Sequence, residues 1–167
     1  ARNQEHLSRT KVVELDVTSE RSVCEAERGI REDCEATGTA LYGIVNNAGI
    51  FSSSAGAAEV LEVNLFGIKR VFDQFYSVLG AQDARVVNVT SASGPNYLSS
   101  AEPSVRRVLT DSQATWEDIL HIVQLYMKDI ESAAIVDQAR AASVTYGFSK
   151  ACANALTVLQ ARLFPSV

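Results

Sequence analysis

At 167 residues, with 47% hydrophobic and 21% charged, the chain has the size and composition of one soluble globular domain with a real core. A net charge of -5, with no basic cluster longer than Arg106-Arg107, argues against nucleic acid as the main partner. Cys24, Cys34 and Cys152 have no metal-ligand spacing, even with His6 and His121, no apolar run is long enough to span a membrane, and the polar opening is no signal peptide. The default setting is therefore a reducing, intracellular one without structural zinc.

In chain order, a short helix is expected over Asn3–Arg9 and a strand over Lys11–Leu15, closed by Asp16-Val17. Ser19 is placed to cap a helix over Glu20–Ala36, whose apolar stripe is Val23, Ala26, Ile30 and Cys34, with Gly38 ending it. Ala40–Val45 is a compact apolar run that predicts a buried strand, terminated by Asn46-Asn47-Ala48-Gly49. After a Ser/Gly loop, Ala57–Leu79 has helical periodicity, with Gly67 near its middle marking close packing or a kink and Gly80 as its cap. Arg85–Thr90 predicts a third strand with an exit loop over Ser91–Pro95. Residues 101–143 form a polar inserted segment, expected as helices over Pro103–Leu109, Thr115–Glu131 and Ile135–Ala142, and Tyr146–Leu163 is the closing helix. In Thr115–Glu131 the covering stripe is Leu120, Val123, Leu125, Met127 and Ile130.

Strands alternating with helices predict an α/β fold, a doubly wound parallel sheet with residues 1–167 as one domain. Strands apolar throughout suit a sheet covered on both faces. Ligands in such sheets bind beyond the carboxyl ends of the strands. That places interest on Asp16-Val17, Asn46–Gly49 and Thr90–Gly94. On the closing helix, Tyr146 and Lys150 stand four apart, so phenol and ammonium share one face, and a lysine there favours the phenolate.

Leu15-Asp16-Val17, Asn46-Asn47-Ala48-Gly49, Val63-Asn64-Leu65-Phe66-Gly67, Val86-Val87-Asn88-Val89-Thr90-Ser91 and Tyr146-x-x-x-Lys150 occur in one order. Together they resemble the classical short-chain dehydrogenase/reductase family. The resemblance implies an NAD(P)-dependent oxidoreductase with a Rossmann-like fold and a tetrad of Asn64, Ser91, Tyr146 and Lys150. Ser91 would hydrogen-bond a substrate carbonyl and Tyr146 would give it a proton. Lys150 would hold the nicotinamide ribose and lower the Tyr146 pKa, and Asn64, at a break in the long helix, would hold a water linking Lys150 to solvent. Asp16 and Val17 would contact the adenine and Asn47 the adenosine ribose side. Arg2 would read the 2'-phosphate, favouring NADP over NAD.

The long stretch between Ser91 and Tyr146 resembles the monomeric carbonyl reductases and the salutaridine- or menthone-reductase-like members of that family. It implies a monomer acting in the cytoplasm on a small-molecule ketone or aldehyde, with neither nucleic acid nor membrane as partner. The family's glycine-rich turn has no counterpart here, because the glycines at 29, 38, 43, 49, 56, 67, 80, 94 and 147 form no such cluster. The chain is therefore expected to start after the first strand-helix unit and to stop before the last strands. A hole in the sheet, weak NADP binding and aggregation of the isolated chain follow.

Plainer roles stand beside these. Ser91 and Asn46-Asn47 also suit turns, Asn64 a local polar contact, and Asp16 the start of the first long helix. Trp116 and Met127 suit packing, His121 a surface position and Cys152 a small buried hydrophobe. The alternative functions are a non-catalytic or truncated binding fold and an extended-branch sugar-nucleotide epimerase or dehydratase. The Asn46–Gly49 sequence speaks against the epimerase.

Overall fold

A computed structural model describes residues 10–52, 54, 56–80, 83–132 and 138–165; Arg2 and the helix expected over Asn3–Arg9 lie outside the described residues. Helix α1 spans Glu20–Thr37, with Ser19 Oγ accepting the Ser22 N–H at its start and Gly38 in the left-handed conformation at its end. Strands β1 (Gly43–Asn46) and β2 (Arg85–Asn88) pair in parallel, Ile44 opposite Val86 and Asn46 opposite Asn88. Between them the chain runs through α2 (Ala57–Leu61), a π-helical turn (Glu62–Phe66), α3 (Gly67–Phe75) and a 3₁₀ turn (Tyr76–Val78). After β2 come α4 (Ser93–Ser100), α5 (Pro103–Leu109), α6 (Trp116–Ser132) and α7 (Gln138–Leu163).

Several expectations change. Lys11–Leu15 is not a strand, because β1 pairs with β2 alone among the described residues and offers these residues no neighbour; Val12 is left 93% exposed. Gly80 does not cap the long helix. That helix ends at Val78, and Leu79 turns extended to bridge Leu41 while the Gly80 N–H donates to the Leu41 carbonyl. The exit loop after β2 is short, since α4 already begins at Ser93, ahead of the expected insertion. The closing helix is longer than its apolar pattern, opening at Gln138 and passing unbroken through Tyr146.

The stripe of α6 also shifts. Ile119, Ile122 and Val123 are buried, Tyr126 and Met127 pack beside them, and Leu125 faces outward. A 3.6-residue period puts Leu125 off the line through 119, 122, 123 and 126, so apolar character alone misplaced it. Trp116 packs against the same core, His121 is exposed and Cys152 is buried, as the plainer readings have it.

Two cores result. Val23, Ala26, Ile44, Val71 and Phe75 fill the space between α1, α3 and one face of β1. The larger core joins Leu61, Leu65 and Ile68 to Phe148, Cys152 and Leu156 of α7, with Ile119, Ile122 and Val123 of α6 closing it. The opposite face of the two-stranded sheet is bare: register partners Val45 and Val87 are 67% and 50% exposed. Coverage on both faces, expected from the apolar strands, is thus not what these residues build. The reason is that α1, α3 and α7 all pack on the Ile44–Asn46–Asn88 side. On the side of β1 away from β2, a cavity of about 330 Å³ lies between Leu15, Val17 and the strand, where the hole in the sheet was expected.

Candidate active site

The carboxyl ends of both strands are stitched to α7 by one polar line. Asn46 Nδ2 donates to Asn88 Oδ1 at 2.8 Å, and Asn88 Nδ2 donates to Thr157 Oγ1 and Gln160 Oε1, each at 2.9 Å. The Asn46 and Asn88 amides paired in this way hold a fixed geometry, while the buried Gln160 Nε2 at the end of the line has no hydrogen-bond partner among the described residues. They set the loop Asn47–Ile50 on one strand end and Val89–Ala92 on the other. Asn46 itself is thereby committed to structure.

Lys150 enters this space from inside α7. Its Nζ donates to the Val89 carbonyl at 3.0 Å and lies 5.7 Å from the centre of the Tyr146 ring. Burial pushes its pKa below the ordinary lysine value. The Tyr146 ring in turn meets Phe51 at 5.1 Å. A methyl group at Gly49 would stand 3.3 Å from Asn64 Oδ1 and 3.4 Å from Lys150 Nζ, so the loop, the π turn and the lysine converge within one side chain's width.

Ser91 is brought alongside by the packing of α4 on α7. A Cβ on Gly94 would meet the Lys150 carbonyl carbon at 3.0 Å, and one on Gly147 would meet the Ser93 carbonyl oxygen at 3.0 Å. Ser91 Oγ accepts the Ser93 N–H at 3.1 Å, which leaves its own proton free to donate. That contact is also the turn role weighed from sequence, and the two are compatible.

Asn64 lies in the π-helical turn, where the Gly67 N–H reaches back to the Glu62 carbonyl and interrupts the long helix. Its side chain is a clamp. Oδ1 accepts the Ile50 N–H at 2.8 Å, and Nδ2 donates to the Ile50 carbonyl at 2.9 Å and to Ser149 Oγ at 3.0 Å. Of the remaining residues, Val17 and Asn47 line the cavity beside β1. Asp16 is an exposed turn residue, its Oδ1 accepting from Thr18 Oγ1 at 2.7 Å and from Thr18 N at 2.9 Å. Those hydrogen bonds hold its carboxyl below the usual aspartate range. Val17 is pinned from two sides, by Arg70 on its carbonyl and by Gly67, where a Cβ would come within 2.9 Å of the valine methyl.

Asn64, Ser91, Tyr146 and Lys150 therefore gather at the strand ends, and Asp16, Val17 and Asn47 lie toward the open side of β1. Sequence reasoning passed over Ser149, Phe51 and the Val89 carbonyl. Ser149 was detectable as a hydroxyl on the apolar stripe that continues through Cys152, Ala153 and Leu156. A backbone carbonyl leaves no signal in a sequence.

The family model for short chain dehydrogenase matches residues 1–102. The chain belongs to the short chain dehydrogenase family. Among curated relatives, the mitochondrial D-beta-hydroxybutyrate dehydrogenase of Bos taurus is 38% identical over 93 residues, covering 52% of this chain and 27% of that protein. Salutaridine reductase of Papaver bracteatum is 33% identical over 112 residues, covering 65% of this chain and 36% of that one. The chain thus spans about a quarter to a third of these relatives' length.

Two solved structures share the fold of this chain. Menthone neomenthol reductase from Mentha piperita superposes with a TM-score of 0.72 at 21% identity, over 91% of this chain and 66% of that one. Salutaridine reductase from Papaver somniferum gives 0.71 at 25% identity, over 91% and 64%. Among the described residues, no helix is long and apolar enough to cross a membrane, and no group of His, Cys, Asp and Glu could hold a metal.

Proposed function

We propose that these residues form the proton-donating part of an NADPH-dependent carbonyl reductase, which interconverts a ketone or aldehyde and its alcohol. The observation that carries this is Lys150: a buried ammonium beside the Tyr146 ring, with one N–H on the Val89 carbonyl. Its remaining N–H groups suit a ribose hydroxyl, and its charge favours the negative oxygen that Tyr146 keeps after giving up a proton. Ser91, with its oxygen already accepting from Ser93, donates to the substrate carbonyl oxygen and orients it toward Tyr146. The bound dinucleotide supplies the hydride. Asp16 and Val17 take the adenine side, Asn47 the adjoining ribose, and Arg2 the 2'-phosphate that separates NADP from NAD.

Salutaridine reductase, found among both the curated relatives and the solved structures, supports reduction, while the D-beta-hydroxybutyrate dehydrogenase relative fits the reverse direction of the same interconversion. Packing of α6 over α2, the π turn and α7 supports a monomer, since it buries a face that another copy could otherwise use. Free Cys24, Cys34 and Cys152 favour a cytoplasmic setting. The cofactor preference is tested by comparing NADPH and NADH oxidation with a panel of aldehydes, ketones and quinones. NADPH is expected to be used faster, and Arg2→Ala to reduce that advantage; preference for NADH would contradict it. The isolated 167 residues are expected to bind NADP weakly for want of a glycine-rich turn, and micromolar affinity by fluorescence titration would contradict that.

A further inference from the structure

We infer that Ser149 is a positioning residue, whose buried hydroxyl ties the loop after β1 to the helical turn that presents Tyr146 and Lys150. The inference rests on the proposed function in that Tyr146 is taken as the proton donor, but the tie itself is read from geometry.

Ser149 is wholly buried, and its hydroxyl proton is committed to the Tyr146 carbonyl at 2.8 Å. The oxygen can then only accept, and it accepts from Asn64 Nδ2 at 3.0 Å. That bond agrees with the direction in which Ile50 already holds the Asn64 amide. With Nδ2 toward Ser149, Oδ1 faces the Ile50 N–H, and the second Nδ2 proton faces the Ile50 carbonyl. Both backbone groups of Ile50 are therefore held by one amide, and the Ser149 oxygen takes that amide's remaining proton, tying it to α7. The rest of the loop has little other anchorage, since Asn47, Ala48 and Gly49 are exposed.

A buried helical serine often does no more than bond a carbonyl one turn back. What distinguishes Ser149 is its second bond, to a side chain 85 residues away in the interrupted part of the long helix. Without the hydroxyl, a buried Nδ2 proton has no acceptor, and the amide loses its only bond to α7 among the described residues. The Asn64–Ile50 pair is then less firmly held against α7, and Phe51, one residue beyond Ile50, shifts against the Tyr146 ring.

The test uses Ser149→Ala and Ser149→Thr in the isotopically labelled chain. In Ser149→Ala the Ile50 amide is expected to exchange with solvent at least about tenfold faster, as loss of one buried bond allows. Amides in the middle of α1 should stay unchanged, and the nuclear Overhauser contact between the Phe51 and Tyr146 rings should weaken. Ser149→Thr restores the hydroxyl and should restore both signals. A folded Ser149→Ala with wild-type Ile50 exchange and ring contact overturns the inference.

Should Ser149→Ala fail to fold, the wild type decides. Both Asn64 Nδ2 protons are expected to exchange with solvent far more slowly than those of an exposed asparagine, and exchange at the exposed rate overturns the inference. In the active reductase Ser149→Ala should lower kcat about tenfold with KM within about twofold, since substrate contacts remain. The exchange and ring readouts involve no turnover. Absence of reductase activity with intact amide effects therefore removes the proposed function and leaves the tie standing.

Discussion

Lys150 Nζ donates to the Val89 carbonyl, joining the interior of α7 to the end of β2 through a lysine that is only 3% exposed. No ion pair among the described residues includes it. A charge held inside without a carboxylate is a cost to the fold that a functional site explains and packing does not.

That cost has a pH signature. Burial lowers the Lys150 pKa, so below its lowered value the ammonium is charged in both folded and unfolded chains and its desolvation weakens the fold. Between the lowered value and the ordinary lysine value of about 10.4, the unfolded chain binds the proton that the folded one has released, so stability rises with pH. Urea unfolding of wild type and Lys150→Met across the alkaline range should show the wild type gaining on the variant through that window. Parallel curves would mean that Lys150 is not desolvated.

Two glycines in helices should respond to alanine with opposite signs. Gly29 in α1 has nothing within 4 Å of an added Cβ, so Gly29→Ala should stabilise by about 0.5–1 kcal/mol, the helix propensity difference. At Gly67 the added Cβ meets Val17 Cγ2 at 2.9 Å and Val17 Cβ at 3.0 Å. Overpacking of about 1–3 kcal/mol outweighs the propensity gain there, so Gly67→Ala should destabilise. Denaturant midpoints of the two variants check both signs, and a gain at Gly67 would show that Val17 does not rest against it.

The bare sheet face should govern solubility. Val45 and Val87 lie side by side with half or more of their surface in water. Val87→Lys places a charge on that face and should lower the aggregated fraction of the isolated chain in light scattering at equal concentration. An unchanged fraction would point to association through other surfaces.

Much of this was legible in the sequence, for reasons that differ by residue. Ser19 and Gly38 mark α1 because capping is local chemistry, and the Pro103 start of α5 is read the same way. Tyr146 and Lys150 were visible as a pair because a helix puts residues four apart on one face. The strand at Lys11–Leu15 was misread because β-structure depends on a partner, which no local pattern reveals. The two-sided burial of the sheet was misread likewise: an apolar strand states a preference for cover, and whether helices arrive is decided elsewhere in the chain. The partners of the Asn64 clamp were invisible for a third reason. Sequence places Asn64 in a helix, but only the π turn and its contacts with Ile50 and Ser149 show what its amide holds.

The central claim is that Tyr146 gives the proton. Its most direct test is NADPH oxidation with a ketone or aldehyde by the reductase carrying this chain, wild type against Tyr146→Phe. The phenylalanine keeps the ring against Phe51 and removes only the hydroxyl, so the fold should be retained. A fall in kcat of about 10²–10⁴-fold is expected for loss of a general acid. Full activity in Tyr146→Phe would contradict the account.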